Sequence, residues 1–161
     1  MFHSAKDEQL IKQILTSAKT IAMVGVSSIK NEEPSKNIRR RPSIIVMKYL
    51  KEFGYRVIPI NPFSVGKKIY EETVVARLED VTAPIDIVNV FRPSKEAPVI
   101  AKQTIKVGAK VLWLQFGIQN LEAQEIAHSA NITCIANRCI KQEYQRLFLK
   151  MNPVFPVLLS N

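Results

Sequence analysis

The stretch Thr20-Ile-Ala-Met-Val-Gly-Val-Ser-Ser28 decides the fold. Its first five residues are mostly apolar and do not alternate with polar ones. That is the pattern of a short strand buried on both faces of a parallel sheet. Gly25 ends the run, and Gly25, Val26, Ser27 and Ser28 form the turn that follows. A glycine there lets the backbone approach an anion closely, and serine hydroxyls and main-chain N–H groups can bond its oxygens. A plain tight turn uses the same residues.

Outward from this turn, strand and helix patterns alternate. Upstream, residues 7–19 (DEQLIKQILTSAK) place Leu10, Ile11, Ile14, Leu15 and Ala18 at helical spacing. Downstream, residues 28–41 are polar, charged and without periodicity, so they read as a long loop. Pro42 suits the first turn of a helix, where its missing N–H costs nothing, and Gly54 stands where a glycine closes one. Residues 55–60 (YRVIPI) read as a second strand, ended by Asn61-Pro62. Residues 66–81 are ambiguous, a short strand and then a helical turn near Leu78. Residues 85–91 (IDIVNVF), 110–115 (KVLWLQ) and 132–136 (ITCIA) read as strands. Residues 96–107, 121–130 and 140–150 read as helices, the second capped by Asn120. Asp86 is expected at the start of its strand, facing solvent, because a carboxylate inside a strand is costly.

The pattern predicts an α/β, Rossmann-like doubly wound parallel sheet of about five strands with helices on both faces. Residues 1–150 form one domain in this reading, and the apolar residues 151–161 form an extended tail. In such sheets ligands sit beyond the carboxyl ends of the strands. The candidate site residues are therefore those that follow each strand.

Composition narrows the function. The chain has 161 residues, 47% hydrophobic and 23% charged, with a formal net charge of +9 from 23 basic and 14 acidic residues. That balance suits anionic partners, whether nucleic acid, a membrane surface or a polyphosphate, and equally suits a solvated lysine-rich surface. No apolar run reaches the roughly 20 residues of a membrane span, and residues 1–19 lack a signal-peptide pattern, so no membrane role and a cytoplasmic location are expected. Cys134 and Cys139 with two distant histidines make neither a disulfide framework nor a metal site.

The dinucleotide fingerprint is absent. G-x-G-x-x-G would need glycines where Ser27 and Lys30 stand, and the second strand ends in Asn61-Pro62 rather than in the acidic residue that grips an NAD ribose. The run Arg39-Arg40-Arg41-Pro42-Ser43 instead offers guanidinium groups and a helix N-terminus to phosphate.

The succession MVGVSS (23–28), RPSIIVMKYLKEFGYRVIPINP (41–62), DIVNVFRPSKEAP (86–98), GAKVLWLQFGI (108–118) and NRCIKQE (137–143) resembles the stand-alone CoA-binding protein family. That family is similar to the CoA-binding domain of the succinyl-CoA synthetase α subunit. The resemblance covers residues 20–147. It implies coenzyme A, or an acyl-CoA, as the ligand. It implies that Gly25, Val26, Ser27 and Ser28 hold a CoA phosphate, with Arg41, Pro42 and Ser43 at the start of the second helix. Asn61 and Pro62 would lie near the adenosine, and Phe91 and Arg92 would line the cofactor. Gln115 and Gly117, with Asn137, Arg138 and Cys139, would lie near its reactive end.

Three functions follow from these readings. The first is a CoA-binding or regulatory module without catalysis of its own. The second is an NAD(P)- or CoA-thioester-dependent enzyme subunit that needs a partner chain. The third is a basic nucleic-acid-binding protein. His3 and His128 do not fall at strand ends, which argues against catalysis. Cys139, beside Arg138 and Lys141, is either a thiolate nucleophile or a packing cysteine. No nucleic-acid-binding motif is present, and the aromatics lie mostly in strands rather than among the basic residues. The pattern leaves room for a protein partner or a second copy of the chain.

Overall fold

The computed structural model describes residues 5–27 and 41–150. Ser28, the rest of the loop through Arg40, His3 and the tail at 151–161 lie outside the described residues. Helix α1 (Ala5–Ser17) leads into β1 (Thr20–Val24). Helix α2 (Pro42–Glu52) and β2 (Arg56–Ile60) follow, then a small hairpin, β3 (Lys68–Ile69) with β4 (Glu72–Thr73). A 3-10 turn (Leu78–Asp80) precedes β5 (Ile87–Val90), and a second one (Ser94–Glu96) opens α3 (Ala97–Lys106). The chain continues through β6 (Val111–Leu114), α4 (Leu121–Ser129), β7 (Thr133–Ile135) and α5 (Ile140–Tyr144).

Five strands form one parallel sheet in the order β2-β1-β5-β6-β7. The chain steps from β1 outward to β2, then crosses back to lay β5 on the other side of β1. This reversal opens a crevice at the carboxyl ends of β1 and β5, where doubly wound sheets bind ligands. Successive side chains point to opposite faces. Ile21, Met23, Val57, Ile87 and Trp113 join the core with residues of α1, α2 and α5. Ala22, Val88, Val90, Leu112 and Leu114 join the core with residues of α3 and α4. Both faces are covered, which is why the strands read as continuous apolar runs.

Pro59 sits in the middle of β2, which a ladder tolerates only at an edge. The outer side of β2 is closed by the segment after the hairpin, where Val75 N donates to Pro59 O at 3.1 Å and Asn61 N donates to Val75 O at 2.9 Å. The last helix departs from its expected course. Regular α-helix stops at Tyr144, and Gln145–Leu149 form a wider π-helical turn. The widened turn faces Gln145 into the interior and leaves Phe148 stacked on Tyr144 at 4.7 Å.

Asp86 stands just before β5. Its carboxylate accepts the N–H groups of Lys19 at 2.9 Å and Thr20 at 3.0 Å, and Lys110 lies 3.5 Å away. Burial pushes the carboxyl up, but these donors and the ammonium outweigh it and hold it below the ordinary carboxylate value. The residue expected merely to face solvent thus fastens the chain entering β1 to β5.

Candidate functional site

The loops after β1, β2 and β5 converge on one cleft of about 1090 Å³. Gly25, Val26 and Ser27 line it from β1, Asn61, Pro62 and Phe63 from β2, and Phe91 and Arg92 from β5. Ala76, Arg77 and Leu78 form one wall, and Lys95, Glu96, Val99, Ile100 and Gln103 on and before α3 form the other.

The β1 turn is braced from within. Gly25 N and Val26 N both donate to Ile60 O, at 3.1 and 3.4 Å, and Ser27 N donates to Ser43 Oγ at 3.0 Å. These amides have protein acceptors, so an anion here would be matched chiefly by side chains. Ser43, 2% exposed, in turn donates its hydroxyl to Ser27 Oγ at 3.3 Å. The Ser27 proton is thereby left to be donated elsewhere, and Ser27 faces the cleft. Asn61 ties two loops together: Nδ2 donates to Val26 O at 2.8 Å, and Oδ1 accepts Phe63 N at 2.8 Å. This arrangement sets Asn61-Pro62-Phe63 as a rim and leaves the Phe63 ring 91% exposed beside the cleft.

Cations outnumber acids among the cleft-lining residues: Arg77, Arg92 and Lys95 against Glu96. The Arg92 fork is closed onto Glu96, Nε to Oε1 at 3.1 Å and Nη2 to Oε2 at 2.8 Å. Arg77 lies 3.9 Å from both Glu79 and Asp80.

Arg41, Pro42 and Ser43 begin α2 behind the β1 turn, with Arg41 as the helix N-cap. Only Ser43 of the three is bonded to a cleft residue.

The other expected site residues form a second cluster at the ends of β6 and β7, outside the lining of the cleft. Gln115 is buried, and its Oε1 accepts Asn89 Nδ2 at 3.2 Å and Ile140 N at 3.3 Å. Asn137, at φ 57°, accepts Gly117 N on Oδ1 at 2.7 Å. Arg138 pairs with Glu143 at 2.7 Å, and its carbonyl accepts the indole N–H of buried Trp113 at 2.8 Å. Cys139 is the half-buried N-cap residue of α5. The two cations that flank it in sequence are directed elsewhere, Arg138 to Glu143 and Lys141 over the Tyr49 ring at 5.4 Å. Cys134 lies within β7, and burial pushes its thiol up to about 11.

Sequence reasoning passed over Phe63, Arg77, Lys95, Val99 and Gln103. Two signals pointed to four of them, and none to Arg77. Phe63 follows the Asn-Pro at a strand end, and Lys95, Val99 and Gln103 recur every four residues on one helical face. Among the described residues no helix is long and apolar enough to cross a membrane.

Residues 19–145 match the family model described as CoA binding domain. The chain is 37% identical over 134 residues to the uncharacterized protein YneT of Bacillus subtilis (strain 168), spanning 81% of this chain and 89% of that one. The structure of cell-free ID.343 from Thermus thermophilus superposes with a TM-score of 0.78 at 36% identity, covering 88% of this chain and 98% of that one. A hypothetical protein from Pyrococcus horikoshii OT3 superposes with a TM-score of 0.76 at 34% identity, covering 91% and 99%. With the match extending from the residue before β1 into the turn after α5, the chain belongs to the CoA-binding domain family.

Proposed function

We propose that this protein binds coenzyme A, or an acyl-CoA, in the cleft at the carboxyl ends of β1, β2 and β5, and works as a binding or regulatory module. One observation carries the reading. The β1, β2 and β5 loops meet at a cleft lined together by Gly25, Ser27 and three cations. A polyphosphate needs cations and donors, and a nucleotide base needs an apolar surface. Phe63, Phe91 and Val99 supply the latter. In this reading Ser27 and Arg92 meet the diphosphate, and the exposed Phe63 ring meets the adenine. Gly117 and Asn137 lie on the same edge of the sheet and serve the outer end of a long ligand, while Gln115 and Arg138 hold that edge in place. The absence of an acidic residue at the end of β2 disfavours NAD. Cys139, the one nucleophile considered from sequence, stands away from the cleft at the head of α5, and His128 is exposed on α4, which supports binding rather than chemistry.

Thermal shift and calorimetry with coenzyme A, acetyl-CoA, NAD and ATP test this. Binding stabilises the folded state by about 2.7 kcal/mol at a hundredfold excess over Kd, which shows as an upward shift in Tm. Coenzyme A is expected to give that shift, with NAD and ATP far behind. An equal response to NAD or ATP, or none to coenzyme A, overturns the reading.

A further inference from the structure

We propose that Lys95 reads a terminal phosphomonoester on the ligand, which for coenzyme A is the 3′-phosphate. This inference rests on the coenzyme A reading above and adds the residue that sets its specificity.

The three cleft cations differ in what they already hold. Arg92 has one whole edge of its guanidinium closed onto Glu96. Arg77 is shared between Glu79 and Asp80. Lys95 is exposed, lines the cleft, and makes no ion pair among the described residues. It lies in the 3-10 turn that opens α3, on the helical face that carries Val99 and Gln103 to the same wall. The positive end of the α3 dipole adds field of the same sign.

The phosphates of the ligand differ as well. Each phosphate of a diphosphate diester bears one negative charge, whereas a phosphomonoester carries about −1.5 to −2 near neutral pH. The most charged group gains most from a cation that need not abandon a carboxylate to meet it. An ammonium on a flexible four-carbon stem can also follow a peripheral phosphate, whereas the Arg92 fork is fixed by its partner. Lys95 therefore separates ligands that end in a monoester from those that lack one.

The test titrates coenzyme A and 3′-dephospho-coenzyme A into the wild-type protein, Lys95→Met and Lys95→Arg by calorimetry. Wild type is expected to prefer coenzyme A roughly tenfold, the scale of one charge-assisted contact. Lys95→Met collapses that ratio toward parity, and Lys95→Arg retains most of it. Raising the salt concentration narrows the wild-type ratio, because the contact is at an exposed rim. A Lys95→Met protein that keeps the full ratio, or a wild type that binds both compounds equally, overturns the assignment of Lys95. A wild type that binds neither overturns the coenzyme A reading itself, and this inference with it.

Discussion

Arg92 lies across Gly25 so closely that a Cβ added to the glycine would stand 2.7 Å from Arg92 Cδ and 3.2 Å from the carbonyl carbon of Phe91. Gly25 also has φ +90°, which L side chains rarely adopt. Arg92 cannot withdraw freely, because Glu96 grips its tip, and the Phe91 carbonyl is backbone. Gly25→Ala should therefore lower stability by about 1–3 kcal/mol through strain and also weaken coenzyme A binding by displacing Arg92. Gly66 separates the two effects, since it has φ +88° and nothing within 4 Å of an added Cβ. Urea denaturation of both variants is expected to show the larger loss in Gly25→Ala. Equal losses would mean that backbone strain alone accounts for the glycine.

Ser27 gives the sharper test of the cleft as an anion site. Its N–H is held by Ser43, so a new side chain at this position points from a fixed backbone into the same space. Ser27→Glu puts a carboxylate where a phosphate is proposed to lie, and the coenzyme A-induced rise in Tm should vanish. Ser27→Ala removes only a hydroxyl and should weaken binding roughly tenfold at most. Coenzyme A affinity unaltered by Ser27→Glu would refute the placement of the ligand.

The order of elements was legible in the sequence because it rests on local signals. The apolar runs marked the five long strands to within a residue or two, and Pro42, Gly54 and Asn120 marked helix ends where proline, glycine and asparagine have local reasons to stand. The β3–β4 hairpin was not legible. Its turn places Tyr70 and Glu71 at φ 47° and 72° without any glycine. A tertiary contact accompanies that turn, the Lys51 ammonium donating to Tyr70 O. The candidate site divides in the same way. Gly25, Ser27, Asn61, Phe91 and Arg92 follow their strands directly and meet at the cleft. Arg138 also follows its strand, but Glu143 of the next helix engages it while Arg146 holds the same carboxylate from the other side, and no spacing rule showed that pairing. Lys95 and Val99 reach the cleft from a helix face, which the strand-end rule does not survey.

Tyr55 predicts how the fold fails in alkali. Its hydroxyl donates to Leu15 O at the end of α1, and burial, with Tyr144 nearby, pushes the phenol up from 10.0 to about 12. A raised folded-state pKa means that the native protein keeps a proton the unfolded chain releases. The stabilisation is whole below about pH 10 and is lost as pH rises through the folded value near 12. Tyr55→Phe should cost roughly 1 kcal/mol at neutral pH for the lost hydrogen bond. It should also flatten the decline between those two pH values, as followed by urea midpoints. Tyr49 and Tyr70 shift in the same direction, so part of the slope remains.

Glu143 predicts the acid side. Its carboxylate is almost wholly buried between Arg138 at 2.7 Å and Arg146 at 2.9 Å, and Arg146 also pairs with Glu8 of α1. Burial alone would push this carboxyl up, but the two guanidinium groups outweigh it and hold it below its ordinary value of 4.5. A depressed folded-state pKa gives stability that is present above the ordinary value and lost as pH falls through the lowered one. Glu143→Gln leaves two half-buried guanidinium groups facing each other, and breaking a buried pair in this way costs about 3 kcal/mol. The gap between wild type and variant should be widest at neutral pH and should close as pH falls below 4.5 and through the lowered folded-state value, because acid removes the same charge from the wild type. Asp86, also depressed, keeps some acid sensitivity in both proteins. If the gap between the two urea midpoints stays constant from neutral pH down to pH values below that range, the pairing of Glu143 with its two arginines is not what fastens α5 to the rest of the fold.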